Sequence, residues 1–132
     1  MAKIPVKVIS LPQNAMPHII IEHSSSLTNT LTSTNLLRQL HQELQGIESF
    51  SLKDFKSRLL PYNDFMIGDG SPGRQFCHVQ FLLLPGRKRD VLRQAAAKIS
   101  ALLTSVLPAS VEITLEVREF DIDLYFKRPS AI

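Results

Sequence analysis

The sequence has a single cysteine and no tryptophan, and no apolar run approaches the ~20 residues that a membrane-spanning helix needs. One cysteine, Cys77, excludes a disulfide within the chain and is typical of a reducing compartment. The chain also lacks a large excess of charge of one sign, because 15 Lys and Arg against 12 Asp and Glu give a net charge of only +3. We therefore expect a cytoplasmic protein whose partners are small anionic molecules rather than membranes or nucleic acids.

Several chemical signatures are missing as well. There is no P-loop, no GxGxxG stretch and no Ser/His/Asp arrangement. The histidines at 23, 41 and 78 lack metal-ligand spacing and have no cysteine pair beside them, so neither a metal nor another cofactor is predicted. The first fifteen residues have no apolar core of a signal peptide, since Pro5 and Pro12 interrupt them.

A chain of 132 residues, 44% of them hydrophobic, fits one domain. Its predicted strands and helices follow a regular order. The patterns predict strands at 17–23, 55–61, 75–84 and 111–117, helices at about 34–47 and 90–107, a loop at 24–35 and a short last strand at 124–126. Two βαβ units of this kind predict an α+β fold with a two-layer, four-stranded mixed sheet and both helices on one face. The other sheet face also carries apolar residues, which predicts an oligomer.

The most informative tripeptide is Met16-Pro17-His18, which opens the first predicted strand. If translation starts at Met16 and Met is removed, Pro17 has a free secondary amine. If translation starts at Met1, the same nitrogen is a tertiary amide with no basic lone pair. We interpret residues 1–15 as an extension from a mis-called start and residues 16–132 as the domain.

Five short blocks resemble one known superfamily in their joint spacing: Pro17-His18 with the following Ile-Ile-Ile-Glu, Lys56-Ser57-Arg58, Asp69-Gly70, Phe76-Cys77-His78-Val79, and Gly86-Arg87. With the double βαβ layout, these blocks resemble the tautomerase superfamily, and within it the 5-carboxymethyl-2-hydroxymuconate isomerases. The resemblance covers residues 17 to about 127, although no single block is specific by itself.

The resemblance implies a homotrimeric, cofactor-free isomerase that moves a proton along a conjugated 2-hydroxy acid. It implies that Pro17 is the catalytic base and acid, and that Arg87 binds a substrate carboxylate. Lys56 lies where these isomerases have a second substrate-binding arginine, with Arg58 two residues on. His18, next to the proline, is also a predicted site residue, and a structural role suits it equally well. Lysine keeps the charge but loses the planar, bidentate fork of arginine, so the exact substrate is left open.

Other interpretations stay open from the residues alone. Pro17 also suits an ordinary loop-to-strand boundary, and Arg87-Lys88-Arg89 suits a solvated basic turn before a helix. Under these interpretations the chain is a non-catalytic, tautomerase-like trimer with a binding or structural role, and its proline is blocked by the extension. A more distant alternative is weak nucleic-acid binding through residues 87–89, which steep salt dependence would reveal.

Overall fold

The computed structural model describes residues 17–132, so the predicted extension at 1–15 and Met16 lie outside the described residues. The strands are β1 (His18–Ser24), β2 (Lys56–Tyr62), β3 (Gln75–Leu83) and β4 (Val111–Glu119), and the helices are α1 (Thr28–Ser33), α2 (Leu36–Gln45) and α3 (Arg89–Val106). Among these residues, no helix has the length and apolar content to cross a membrane.

The four strands form one mixed sheet in the order β2-β1-β3-β4. β1 pairs with β2 in parallel and with β3 antiparallel, and β3 pairs with β4 in parallel. Each parallel pair is joined through helical segments, as parallel neighbours require. The predicted four-stranded mixed sheet built from two βαβ units is therefore confirmed.

The core lies between one sheet face and the helices. Alternate residues of the two central strands are buried on this face, as the period-two pattern of strands dictates. The helices contribute leucines at spacings of four, such as Leu36, Leu40 and Leu44 of α2. The fully buried members of this core from β1, β3 and α3 are Ile19, Ile21, Cys77, Val79, Phe81, Leu83, Ala95, Ile99 and Leu103. The structure thus confirms the two-layer arrangement with the helices on one face.

The second sheet face carries no helix of residues 17–132 and has a mixed composition. Its hydrogen bonds run across neighbouring strands, with the Tyr62 hydroxyl donating to Glu22 and the Gln80 amide donating to Glu116 at 2.9 Å. Apolar side chains stand between these polar pairs, and Leu60 and Tyr62 are 39% and 38% exposed. We call this surface the open face.

Two sequence-based predictions are wrong. Residues 24–35 are not a loop, because they contain a 3-10 turn and α1. Leu27 and Leu31 lie four residues apart and are both buried, and threonine hydroxyls bond back to carbonyls, as Thr32 does to Thr28 at 2.9 Å. Serine and threonine therefore cover the solvent side of a short helix here instead of breaking it.

The predicted short strand at 124–126 is also wrong. The chain forms a 3-10 turn at Ile122–Leu124, whose first backbone donors are capped by Asp121, which accepts from the Asp123 N–H at 3.0 Å. Tyr125 then turns inward while Leu124 and Phe126 are 84% and 80% exposed. The alternation of a strand is present, but no neighbouring strand of the described chain pairs with it.

Candidate functional site

Pro17 lies immediately before β1, where its carbonyl accepts a hydrogen bond from the Lys56 N–H at 3.0 Å. Because β1 and β2 are parallel, both strands begin at this edge of the sheet. β3 runs the other way, with Leu82 opposite His18, so β3 ends at the same edge and leads into the turn that carries Arg87. The topology therefore brings Pro17, Lys56 and the Arg87 turn to one edge.

His18 lies on the open face beside the proline and has contacts on several sides. Its Nδ1 is 3.4 Å from Arg58 Nη1, and its Nε2 is 3.2 Å from the Tyr125 hydroxyl. Phe120 meets the imidazole edge-on at 6.1 Å and stacks on Tyr125 at 4.5 Å between ring centroids. We call these four residues the His18 cluster.

The His18 cluster is electropositive. Partial burial lowers the pKa of His18, and the nearby cations Arg58, Lys56 and Lys127 lower that pKa further. Both causes disfavour the imidazolium, so His18 is neutral near pH 7. The positive charge belongs to Arg58 of the cluster and to the nearby Lys56 and Lys127.

Arg87 lies in the turn before α3, where its side chain is half-buried against the helical layer rather than solvated. Its Nε donates to Ser49 Oγ at 3.0 Å and its Nη2 donates to the Ser49 carbonyl at 3.2 Å. The guanidinium carbon lies 4.4 Å above the Phe50 ring, a cation–π contact that suits the weakly hydrated guanidinium. Gly86 and Lys88 on either side are exposed while Arg87 is half-buried.

One guanidinium nitrogen of Arg87, Nη1, is buried and has no hydrogen-bond partner among the described residues. Burial lowers the pKa of Arg87 to about 10, although the carboxylate of Glu119 opposes the shift. The group therefore stays charged at neutral pH. An unpaired buried donor costs ~1–3 kcal/mol, and an anion that reached Nη1 would recover that free energy.

Sequence reasoning missed Ser49, Phe50 and Tyr125 as members of this region. Ser49 has φ +75°, in the left-handed region that a residue with a Cβ adopts only at a cost of about 1–2 kcal/mol. That conformation accompanies the presentation of both its hydroxyl and its carbonyl to Arg87. No local motif marks a strained serine, so only the fold reveals this contact.

Apart from Pro17, the predicted site residues thus form two groups. Lys56, Arg58 and His18 lie on the open face, whereas Arg87 lies over Phe50 in the helical layer. Within residues 17–132, no hydrogen bond, ion pair or ring contact joins Arg87 to the His18 cluster. A groove of about 190 Å³ lies beside Arg87, and a larger one of about 230 Å³ between α3 and β4 includes none of the predicted site residues. Among residues 17–132, no group of three or more His, Cys, Asp or Glu side chains could hold a metal ion.

A family profile and two solved structures point to the same protein family. A family profile described as 5-carboxymethyl-2-hydroxymuconate isomerase matches residues 17–131. Among curated proteins, no relative matches. Among solved structures, this chain is similar to a 5-carboxymethyl-2-hydroxymuconate isomerase from Deinococcus radiodurans R1. The two are 21% identical with a TM-score of 0.82, and the match covers 91% of this chain and 94% of that chain.

Two further solved structures share the fold. A 5-carboxymethyl-2-hydroxymuconate delta-isomerase is 19% identical with a TM-score of 0.77, and the match covers 89% of this chain and 91% of that chain. A symmetric trimer of fused wild-type 4-OT is 16% identical with a TM-score of 0.65, covering 77% of this chain and 85% of that chain. At these identities the structural likeness establishes the tautomerase-like fold.

The electropositive surroundings of His18 predict a measurable titration. We expect the pKa of His18 to lie below its ordinary value of about 6.5 and to rise when Arg58→Met removes one neighbouring cation. NMR titration of the histidine ring resonances measures both values. Arg93→Met, which removes a cation that pairs with Asp90 on α3, is the control and leaves the midpoint unchanged. An identical His18 midpoint in the Arg58→Met protein would contradict the electrostatic account.

Proposed function

Because this chain belongs to the 5-carboxymethyl-2-hydroxymuconate isomerase family, we propose that it is a cofactor-independent isomerase of an unsaturated 2-hydroxy (di)carboxylic acid. Family membership supports an isomerase of the tautomerase type as the general class. 5-Carboxymethyl-2-hydroxymuconate is the reference substrate of this proposal. The observation that carries it is the location of Pro17, at a sheet edge with cations in both layers.

Pro17 is the proposed base and acid. Its nitrogen is basic only if the mature chain begins at Pro17, which translation from Met16 and removal of that Met would produce. An α-amino group has a pKa of about 7.7–8.0 in model peptides, and burial beside cations lowers such a pKa toward neutrality. Pro17 is buried, and its ring fixes the direction of the lone pair, which supports proton transfer at working pH.

The proposed reaction moves one proton and needs no redox partner. The Pro17 nitrogen removes the proton of the 2-hydroxyl, and the electron pair of the broken O–H bond spreads from that oxygen over the dienolate. The resulting ammonium gives the proton to a carbon of the dienolate, so that one O–H bond breaks and one C–H bond forms. Positive charge near the dienolate oxygen lowers the barrier, because negative charge develops on that oxygen as its proton leaves.

The two cationic groups suit an acid with charge at both ends. Arg87 offers an unpartnered, desolvated donor in the helical layer, and Lys56 and Arg58 offer charge on the open face. In this proposal each group binds one carboxylate, with Pro17 between them at the edge of the sheet. Lysine at position 56 binds a carboxylate as a point charge, which tolerates more variation in substrate shape than an arginine does.

The proposed assembly is a homotrimer. A trimer of fused 4-OT shares the fold, and the open face has exposed Leu60 and Tyr62 that a second copy would cover. Leu124 and Phe126 are almost fully exposed as well, which is unfavourable for large apolar side chains and supports their burial against another copy.

The catalytic assignment is tested by Pro17→Ala in a chain that begins at residue 17. This variant keeps an α-amine but loses the ring that orients it, so we expect turnover of 2-hydroxymuconate to fall by at least about tenfold. A positioned acid–base group accelerates a reaction by ~10²–10⁴-fold in total, and the variant loses part of that acceleration. Steady-state kinetics measure the loss. Pro61→Ala, at an exposed position of β2, is the matched control and keeps its rate. Equal rates for all three proteins would refute the role of Pro17.

The carboxylate assignment is tested by Arg87→Ala. Loss of a hydrogen bond to a charged group costs about 1.5–3 kcal/mol, so we expect kcat/KM to fall roughly 10- to 100-fold. Arg89→Ala removes an exposed charge two residues away and serves as the control. Thermal unfolding of both variants separates lost binding from lost packing on Phe50. If Arg87→Ala and Arg89→Ala are equally active, Arg87 does not bind the substrate.

A further inference from the structure

The hydrogen bonds of His18 define its tautomer. A guanidinium has only donors, so Nδ1, which faces Arg58 Nη1 at 3.4 Å, must be the unprotonated acceptor. The proton of the neutral ring is then on Nε2, which donates to the Tyr125 hydroxyl oxygen at 3.2 Å. An imidazolium, or the opposite tautomer, would direct an N–H at the arginine.

This tautomer determines what Tyr125 can do. Its oxygen already accepts from His18, so its own hydrogen points to another acceptor, and no such hydrogen bond forms among residues 17–132. Burial raises the pKa of Tyr125, so the O–H is intact at neutral pH. The ring is fixed by stacking on Phe120 and by packing around Leu84. Tyr125 is therefore an oriented donor without an acceptor among the residues that the structure describes.

The location of this donor suggests its ligand. His18 follows Pro17 directly, and Lys56, whose N–H bonds to the Pro17 carbonyl, contributes to the positive potential at His18. A hydrogen-bond donor in a positive environment binds an oxygen that carries negative charge. The His18 N–H also polarises the hydroxyl and strengthens it as a donor, as hydrogen bonds in a chain do.

We propose that the Tyr125 hydroxyl donates a hydrogen bond to the 2-oxygen of the substrate, with His18 as the positioning residue that orients it. The inference rests on the proposed function for the identity of the oxygen, which is the hydroxyl of the 2-hydroxy acid and becomes the dienolate oxygen. No proton is transferred to or from Tyr125, because it acts as a donor to the developing charge. His18 then contacts Tyr125 and Arg58 rather than the substrate.

The first test measures binding without turnover. Isothermal titration compares 2-hydroxyadipate with adipate, two saturated dicarboxylates that differ only in the 2-oxygen and have no double bond to move. We expect the chain that begins at Pro17 to bind 2-hydroxyadipate roughly 2- to 10-fold more tightly, as one neutral hydrogen bond provides. Tyr125→Phe abolishes this preference and keeps the adipate affinity.

The second test measures turnover of 2-hydroxymuconate. The 2-oxygen becomes negatively charged in the transition state, so we expect Tyr125→Phe to lower kcat roughly 10- to 100-fold with a smaller change in KM. The matched control is Tyr62→Phe, which removes the chain's other tyrosine hydroxyl, bonded to Glu22 on the same sheet face. Both variants keep the ring and its stacking, and thermal unfolding checks that both are folded.

These outcomes separate the inference from the proposed function. If the wild-type chain turns nothing over but Tyr125→Phe abolishes the preference for 2-hydroxyadipate, the isomerase proposal fails and the donor assignment stands. If Tyr125→Phe keeps the binding preference, or keeps the turnover of an active wild-type chain within twofold, the donor assignment is overturned. A wild-type chain that does not distinguish the two dicarboxylates, or binds neither, overturns it as well.

Discussion

The parallel register between β1 and β2 determines which side chains of β2 lie beside Pro17 at the candidate site. The pairing begins with the hydrogen bond from the Lys56 N–H to the Pro17 carbonyl. The residue pairs then run from His18 opposite Lys56 to Ser24 opposite Tyr62. A slip of one residue would reverse the faces of β2. Ser57 would then turn away from His41, to which it is hydrogen-bonded at 2.7 Å, and Lys56 and Arg58 would leave the open face for the core.

The positive charge of the candidate site lies in two environments. Arg58 on the open face shares its contacts with a neutral histidine, and water still reaches it. Arg87 is half-buried on an aromatic ring, with one nitrogen unsatisfied, and its pKa is lowered by that burial. Desolvation makes Arg87 the more costly cation to maintain and also the one whose attraction to an anion is least screened. The strained Ser49 that holds it is part of that cost.

Most of the fold could be predicted from the sequence, because period-two and period-3.6 patterns report directly on which face is buried. Val111, Ile113, Leu115 and Val117 alternate in the sequence and pack toward the helices in β4. The errors occurred where local polarity misleads, as in the threonine-rich α1, or where a strand-like pattern has no neighbouring strand, as at Leu124 to Phe126. In both segments the outcome depends on tertiary contacts that no short window of sequence contains.

The site could be predicted less completely, for a different reason. Pro17, Lys56 and Arg87 were found through a resemblance in spacing, whereas Ser49 and Tyr125 lie 38 residues from Arg87 and 107 residues from His18 in the sequence. Hydrogen-bond partners at such separations are brought together by the fold, and serine and tyrosine are too common to mark a site alone. The tautomer of His18 likewise follows only from seeing both of its partners.

The central claim is that the free nitrogen of Pro17 performs the chemistry. It is tested most directly by purifying two forms of the protein, one beginning at Pro17 and one at Met1, verifying each by intact mass, and measuring isomerisation of 2-hydroxymuconate by both. The account predicts turnover only by the form that begins at Pro17, because the other form has an amide in place of the amine. Equal turnover by the form that retains Met1 would contradict it.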